Sequence, residues 1–217
     1  METIAGYKIK NKRGLGHWDA LLEEWFLSIE RYSRITDGGA PYWFNERANV
    51  GVLAASAWRC GRIALEEFQY EKVDVSNSED TDEEAIKKWN GRCDLWMRGD
   101  RIEEIVEAKF KWLNLCSDKT NENALTCLDQ AVKDAANTKG HDEIRAVGVA
   151  FLPVYAKVDK VGDIESLEVL ISDKVASISK QSVDLVAWCF PFRVRKSVSE
   201  KYRNYLPGVI LLASAVK

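Results

Sequence analysis

The chain has 217 residues, enough for one domain with a real hydrophobic core. Lys and Arg number 31 against 34 Asp and Glu, for a formal net charge of −3, which argues against a protein that coats nucleic acid by bulk positive charge. The five cysteines form no CxxC pair, and only His17 and His141 are present, so a zinc knuckle or a Cys/His nucleophile is not expected.

The cysteines read as reduced and mostly buried, which suits a cytoplasmic protein. METIAGYKIKNKRGLG has no apolar signal core, and the longest apolar run, Val209 to Val216, is too short to cross a bilayer. The expectation is a soluble protein without a membrane partner.

In chain order, apolar residues at Leu21, Leu22, Trp25, Phe26 and Ile29 predict a helix over Trp18–Tyr32, broken by TDGGAP. A second helix is expected from Asn45 to Arg59, stopped by Gly61, with Glu46 in its first turn and Val50, Leu53, Ala54 and Ala57 on one face. Arg62–Tyr70 reads as a strand and Glu79–Lys88 as an acidic loop or short helix. Arg92–Arg98 and Ile102–Phe110 read as two strands joined at Gly99-Asp100, a dipeptide suited to a type II′ turn. A long helix over Asp118–Thr138 follows, then a buried strand at Ile144–Val154. The tail predicts a helix near Ile164–Ile178 and strands at Val183–Phe190 and Gly208–Val216. This order gives an α/β fold, a central mixed β-sheet flanked by helices.

The stretch Gly91–Trp112, GRCDLWMRGDRIEEIVEAKFKW, carries the chemistry. With a two-residue turn at Gly99-Asp100, Asp94 lies opposite Ile105, and alternation puts Glu107 and Lys109 on Asp94's face. A four-residue turn keeps that parity. Glu107 is then Asp94's diagonal neighbour, with Cα atoms about 7–8 Å apart. Two carboxylates on one face suit Mg²⁺ or Mn²⁺, and a lysine one pleat on can hold or deprotonate an attacking water. The ordinary alternatives are a solvated strand face and a surface Glu107–Lys109 pair worth less than about 1 kcal/mol. Glu46, in line with a core-facing stripe, is either an N-terminal dipole partner or a further ligand over the sheet.

The ordered pieces NERANVGVLAASAWRCG, RIALEEF, GRCDLW and IVEAK, followed by a helix carrying Gln130, resemble the PD-(D/E)XK nuclease superfamily over about residues 43–155. The resemblance implies a restriction-endonuclease-like αβββαβ core within a single domain, 1–217. Residues 1–42 would be an N-terminal helical extension and 156–217 a C-terminal strand extension. It further implies metal-assisted phosphodiester hydrolysis, with Asp94, Glu107, the Ala108 carbonyl and Glu46 as ligands of Mg²⁺ or Mn²⁺. Lys109 would be the catalytic lysine, and Gln130 matches a glutamine that some members carry. Asp94 follows Cys93 rather than proline, and Glu66 or Glu67 could supply the third acid instead of Glu46.

Between Pro191 and Arg203 lie Arg193, Arg195, Lys196, Lys201 and Arg203 with Phe192 and Tyr202, a stretch suited to phosphates and stacked bases or to a plain solvated connection. Arg92, Arg98 and Arg101 flank the site in the sequence and could add phosphate contacts. The expected partner is nucleic acid, DNA rather than RNA. Two other readings stand beside the nuclease: an inactive nuclease-fold module binding nucleic acid or protein, and a structural oligomer or homodimer built on the eight tryptophans and apolar tail strands.

Overall fold

The structure is a computed structural model that describes residues 2–73, 88–138 and 144–216. The acidic stretch 79–88 falls almost wholly outside the described residues. The strands are β1 (Ile4–Ile9), β2 (Ile63–Val73), β3 (Lys88–Arg98), β4 (Glu103–Phe110), β5 (Leu113–Asn114), β6 (Ile144–Lys157), β7 (Leu185–Phe190) and β8 (Asn204–Ala215). The helices are α1 (Lys12–Leu15), α2 (Asp19–Ile35), α3 (Glu46–Arg59), α4 (Thr120–Ala136), α5 (Val158–Val161) and α6 (Ile164–Ser179). The strands form one mixed sheet in the order β1-β7-β8-β6-β4-β3-β2, with β5 beside β6. β4 and β6 are parallel, and every neighbouring pair along that order other than β4–β6 is antiparallel.

Alternation in the central strands builds a core on each face. Val147, Val149 and Phe151 of β6 join α2 and α3 on one side, while Ala150, Leu152 and Val154 join α4 and α6 on the other. A strand buried on both faces has no polar phase, which is why IRAVGVAFLPV reads as one apolar run. Each fully buried Leu, Val or Phe contributes about 1.5–3 kcal/mol of transfer free energy. α4 comes close to the sheet at Gly148, where a methyl group would sit 2.4 Å from the Val132 backbone nitrogen. That approach sets how far α4 stands above β4.

Local chemistry sets the helix ends. The Asn45 side chain accepts the Ala48 N–H at 3.0 Å to start α3, and Gly61, with φ +83°, follows its last turn. Asp163 caps α6 through the Ser166 N–H, and its hydrogen bonds to the Ser166 side chain first and to that N–H second hold its carboxyl below its ordinary value. Among the described residues no helix is long and apolar enough to cross a membrane.

Two expectations about local structure need correction. The β3–β4 connection is four residues, 99–102, with Arg98 paired to Glu103 rather than Arg101, and the Gly99 N–H donates to the Ile102 carbonyl inside that connection. β1 was not foreseen: IAGYKI alternates weakly, yet it pairs along β7 at the sheet edge.

At the N-terminal end of β4, the Glu104 carboxylate is 1% exposed and fully engaged. His17 Nε2 lies 2.8 Å from its Oε1, and Arg62 Nη1 donates to Oε2 at 3.2 Å. Trp18 Nε1 donates to both oxygens, and Arg62 also reaches the His17 carbonyl. This closed cluster ties the segment before α2 and the α3–β2 corner to the sheet.

Candidate active site

The opposite end of β4 is arranged differently. The β3–β4 register runs from Arg98↔Glu103 to Leu95↔Val106, and its next step would set Asp94 across from Glu107. The pairing stops there. In a continued ladder the Ala108 N–H would bond to the Cys93 carbonyl. Instead it donates to Asp94 Oδ2 at 2.7 Å, so the Asp94 side chain takes the place of a backbone rung where the strands part.

Three elements bring carboxylates to this gap: Glu46 on the first turn of α3, Asp94 on β3, and Asp134 on α4. Lys109 stands among them. Its Nζ lies 2.7 Å from Asp134 Oδ2 and donates to the Ala108 carbonyl at 3.0 Å. Burial works against the Lys109 ammonium, but the bond to Asp134 and the charges of Asp134, Glu46 and Asp94 outweigh it, and its pKa is raised. Lys109 is therefore a firmly protonated donor. Burial and then the nearby Asp94 charge raise the Glu46 carboxyl, against the opposing pull of Lys109 and the Phe110 N–H. Gln130 Nε2 donates to Asp134 Oδ1 at 2.9 Å, so it acts on Lys109 through Asp134.

Glu46, Arg47, Val50, Glu66, Glu67 and Asp94 line a small pocket over the gap. Glu66 lies against Gly51 of α3, where a methyl group would stand 3.5 Å from its Oε1. Glu67 falls at the register position facing Asp94 and holds φ at +54°, a left-handed conformation that costs a non-glycine residue roughly 1–3 kcal/mol. Both remain near Asp94, so the structure brings Glu46, Glu66 and Glu67 to the same pocket rather than choosing among them.

Glu107 is 4% exposed, and its parallel-strand partner is Gly148, where α4 comes close to the sheet. It does not line the pocket. Among the described residues, no group of three or more His, Cys, Asp and Glu side chains is gathered as a ready ligand cage. The donor set nonetheless fits a hard cation. Mg²⁺ takes one or two carboxylates and keeps waters, and the Glu46 carboxyl, raised first by burial and then by the Asp94 charge, stands where a cation would favour its ionised form.

β2, β4, β6 and β7 run the same way, so the connection from Pro191 to Arg203, between β7 and β8, lies along the same sheet edge as Lys109. Arg193, Lys196, Lys201 and Arg203 are exposed there, with Lys201 Nζ 5.1 Å from the Tyr202 ring centroid. Arg195 is not part of that surface. It is 2% exposed, with Nη2 3.0 Å from Glu168 Oε1 and Nη1 donating to the Glu2 carbonyl, so its charge is used inside the fold. Arg92 is exposed beside the pocket, 3.6 Å from Glu67. Arg98 and Arg101 lie at the opposite edge, roughly 25 Å of strand from Lys109, and Arg98 pairs with Glu103 at 3.5 Å. They do not flank the site.

Asp134 and Arg47 were missed from the sequence. Asp134 had a signal, since it stands one helical turn after Gln130. Arg47 had none beyond its place next to Glu46. No family model, curated protein or solved structure matches the chain.

Proposed function

We propose that the protein is a Mg²⁺- or Mn²⁺-dependent nuclease that hydrolyses phosphodiester bonds, of DNA in the first instance, at the parted end of β3 and β4. The observation that carries this reading is the meeting of Glu46, Asp94 and Asp134, from three separate elements, around the protonated Lys109. Glu46, Asp94 and Lys109 also stand in the sequence order that resembles the PD-(D/E)XK superfamily, while Asp134 is no part of that pattern.

In this reading Asp94, Glu46 and the Ala108 carbonyl would hold the ion, and Glu107, at the register position across from Asp94 but buried outside the pocket lining, is the further ligand that the sequence resemblance implies. Bound metal would supply Lewis-acid polarisation of a phosphate oxygen and a water of lowered pKa. Lys109, steered by Asp134 and the Ala108 carbonyl, donates a hydrogen bond that orients the attacking water or steadies the developing phosphate charge. Its raised pKa favours that role over service as a general base. Gln130 keeps Asp134 in place. Arg92, Arg193 and Lys196 contribute phosphate contacts along the same edge.

The test is cleavage of labelled DNA in Mn²⁺ by wild type, Asp94→Ala and Lys109→Ala, all checked for a cooperative melt. Loss of about 10²–10³ in rate in each variant is expected, the order found when a preorganised transition-state donor is removed. Full activity in either variant removes the site from the mechanism.

A second reading is favoured by one observation, the lack of a gathered ligand cage among the described residues. The chain would then be an inactive nuclease-fold module that binds nucleic acid or protein, and Mn²⁺ would bind no better to wild type than to Asp94→Ala.

A further inference from the structure

The outer side of α3 carries a feature that the metal site does not use. Tyr32, Phe44, Ala48, Gly51, Val52 and Ala55 line a mostly apolar groove of about 450 Å³, inside the range of about 300–1,000 Å³ typical of small-molecule sites. Phe44 is 63% exposed at its rim, an aromatic ring left open to water. Ala48, Gly51, Val52 and Ala55 recur at helical spacing, so one stripe of α3 floors the groove with small side chains.

The groove and the acid pocket share a wall. Glu46, Arg47 and Val50 face the pocket, and at 3.6 residues per turn Arg47 falls at the border between that arc and the groove stripe. Gly51 belongs to the groove and also meets the Glu66 carboxylate of the pocket. Arg47 is exposed, and among the described residues it makes no ion pair despite the acids around it. A cation on the ridge between an acid pocket and an apolar, aromatic-rimmed groove matches the alternation of phosphate and base along a nucleic-acid strand.

We infer that the groove is a base subsite and that the substrate is an unpaired strand crossing α3. Arg47 grips a phosphate on the ridge, and the neighbouring base leaves its stack to lie against Phe44 and the Ala48–Ala55 stripe. A base in a duplex cannot reach the groove, because its faces are covered by its neighbours. The substrate class is therefore single-stranded nucleic acid, or the frayed end or flap of a duplex. This rests on the nuclease reading for the position of the scissile phosphate, though binding itself can be measured without cleavage.

The experiment is fluorescence anisotropy in EDTA with a labelled short oligodeoxythymidylate and a blunt duplex of equal length. Wild type should bind the single strand at least about tenfold more tightly. Phe44→Ala, an exposed position, should weaken single-strand binding about tenfold and leave duplex binding unchanged, in line with the stacking of one base on one aromatic ring. Arg47→Ala should lower the slope of log K against log salt by about 0.7, the value for one phosphate contact on a single strand.

Equal affinity for duplex and single strand, no binding of either, or an unaffected Phe44→Ala would each overturn the inference. A wild-type dimer in light scattering that Phe44→Ala dissociates would overturn it too, by giving the groove to a second copy of the chain. Mn²⁺ titration separates this from the nuclease reading. Metal binding and cleavage without strand preference sink only the base subsite; strand preference without metal binding sinks only the cleavage chemistry.

Discussion

The two ends of β4 each meet acidic side chains, and they are finished in opposite ways. Glu104 is sealed by His17, Trp18 and Arg62, so each carboxylate oxygen has its donors and the charge is balanced by a guanidinium. At the other end, Glu46, Asp94 and Asp134 face one lysine, a backbone rung is missing, and the pocket is open. A buried acid whose valences are filled holds a fold together. A group of acids that outnumber their cations is left with charge the fold has not balanced, and in the proposed function that charge holds the metal.

The comparison breaks first at Glu104. Glu104→Ala strands Arg62 in a half-buried position and should cost about 3–5 kcal/mol in urea unfolding, while Mn²⁺ affinity per folded molecule stays at the wild-type value. A stable variant that has lost metal binding would reverse the roles assigned to the two ends. Next is the metal. Mn²⁺ at about 100 times its Kd should add about 2.7 kcal/mol to stability through mass action, and Asp94→Ala should lose that gain. A gain of the same size in Asp94→Ala would move the ion elsewhere.

A finer test lies in Asp134→Asn. The hydrogen bond and charge of Asp134 are the leading causes that raise Lys109, and burial opposes them, so their removal lets the Lys109 pKa fall. A reaction that needs the protonated amine should lose its alkaline limb at lower pH than wild type, and an unmoved limb would exclude Lys109 as the titrating group. The smallest effect belongs to Glu46→Gln. Its carboxyl is raised in the fold, so the stability it contributes is present below the unfolded pKa and is lost as pH rises through the folded one. Glu46→Gln should therefore melt slightly above wild type at neutral pH, and the gap should close as the pH falls through the carboxyl range. A gap that widens toward acid would mean that Glu46 is stabilised as the anion.

Much of the architecture was legible because the cores are built from periodic elements. α2 and the apolar face of α3 follow the 3.6-residue spacing, and β6 shows the unbroken run of a strand covered on both sides. What escaped was written in single hydrogen bonds. The turn at 99–102 depends on the Gly99–Ile102 bond, which a Gly-Asp dipeptide does not announce. β8 begins at Asn204, before Pro207, because a register shift opposite Val154–Ala156 leaves room for a residue without an N–H. In the site, the four-residue turn keeps the strand parity expected for Asp94, Glu107 and Lys109 but moves the register position across from Asp94 from Ile105 to Glu107. The partners across the chain were not readable. Asp134 comes from a helix beyond β5, Arg195 is drawn inward by Glu168, and the Glu104 cluster gathers residues 42 to 87 positions away.

The strand β1 has a consequence for how this protein is made. Among the described residues, the strand that Ile4–Ile9 pairs with is Leu185–Phe190, more than 170 positions later. A nascent chain leaving the ribosome therefore carries an unpaired strand, and the side of α2 that packs on β7 stays exposed, until the last part of the sequence emerges. Such long-range pairing delays closure of the sheet and slows folding relative to a fold of local contacts. Truncation at either end removes a neighbour from the same edge, so β1 and β7 should protect each other's amides from hydrogen exchange as one cooperative unit.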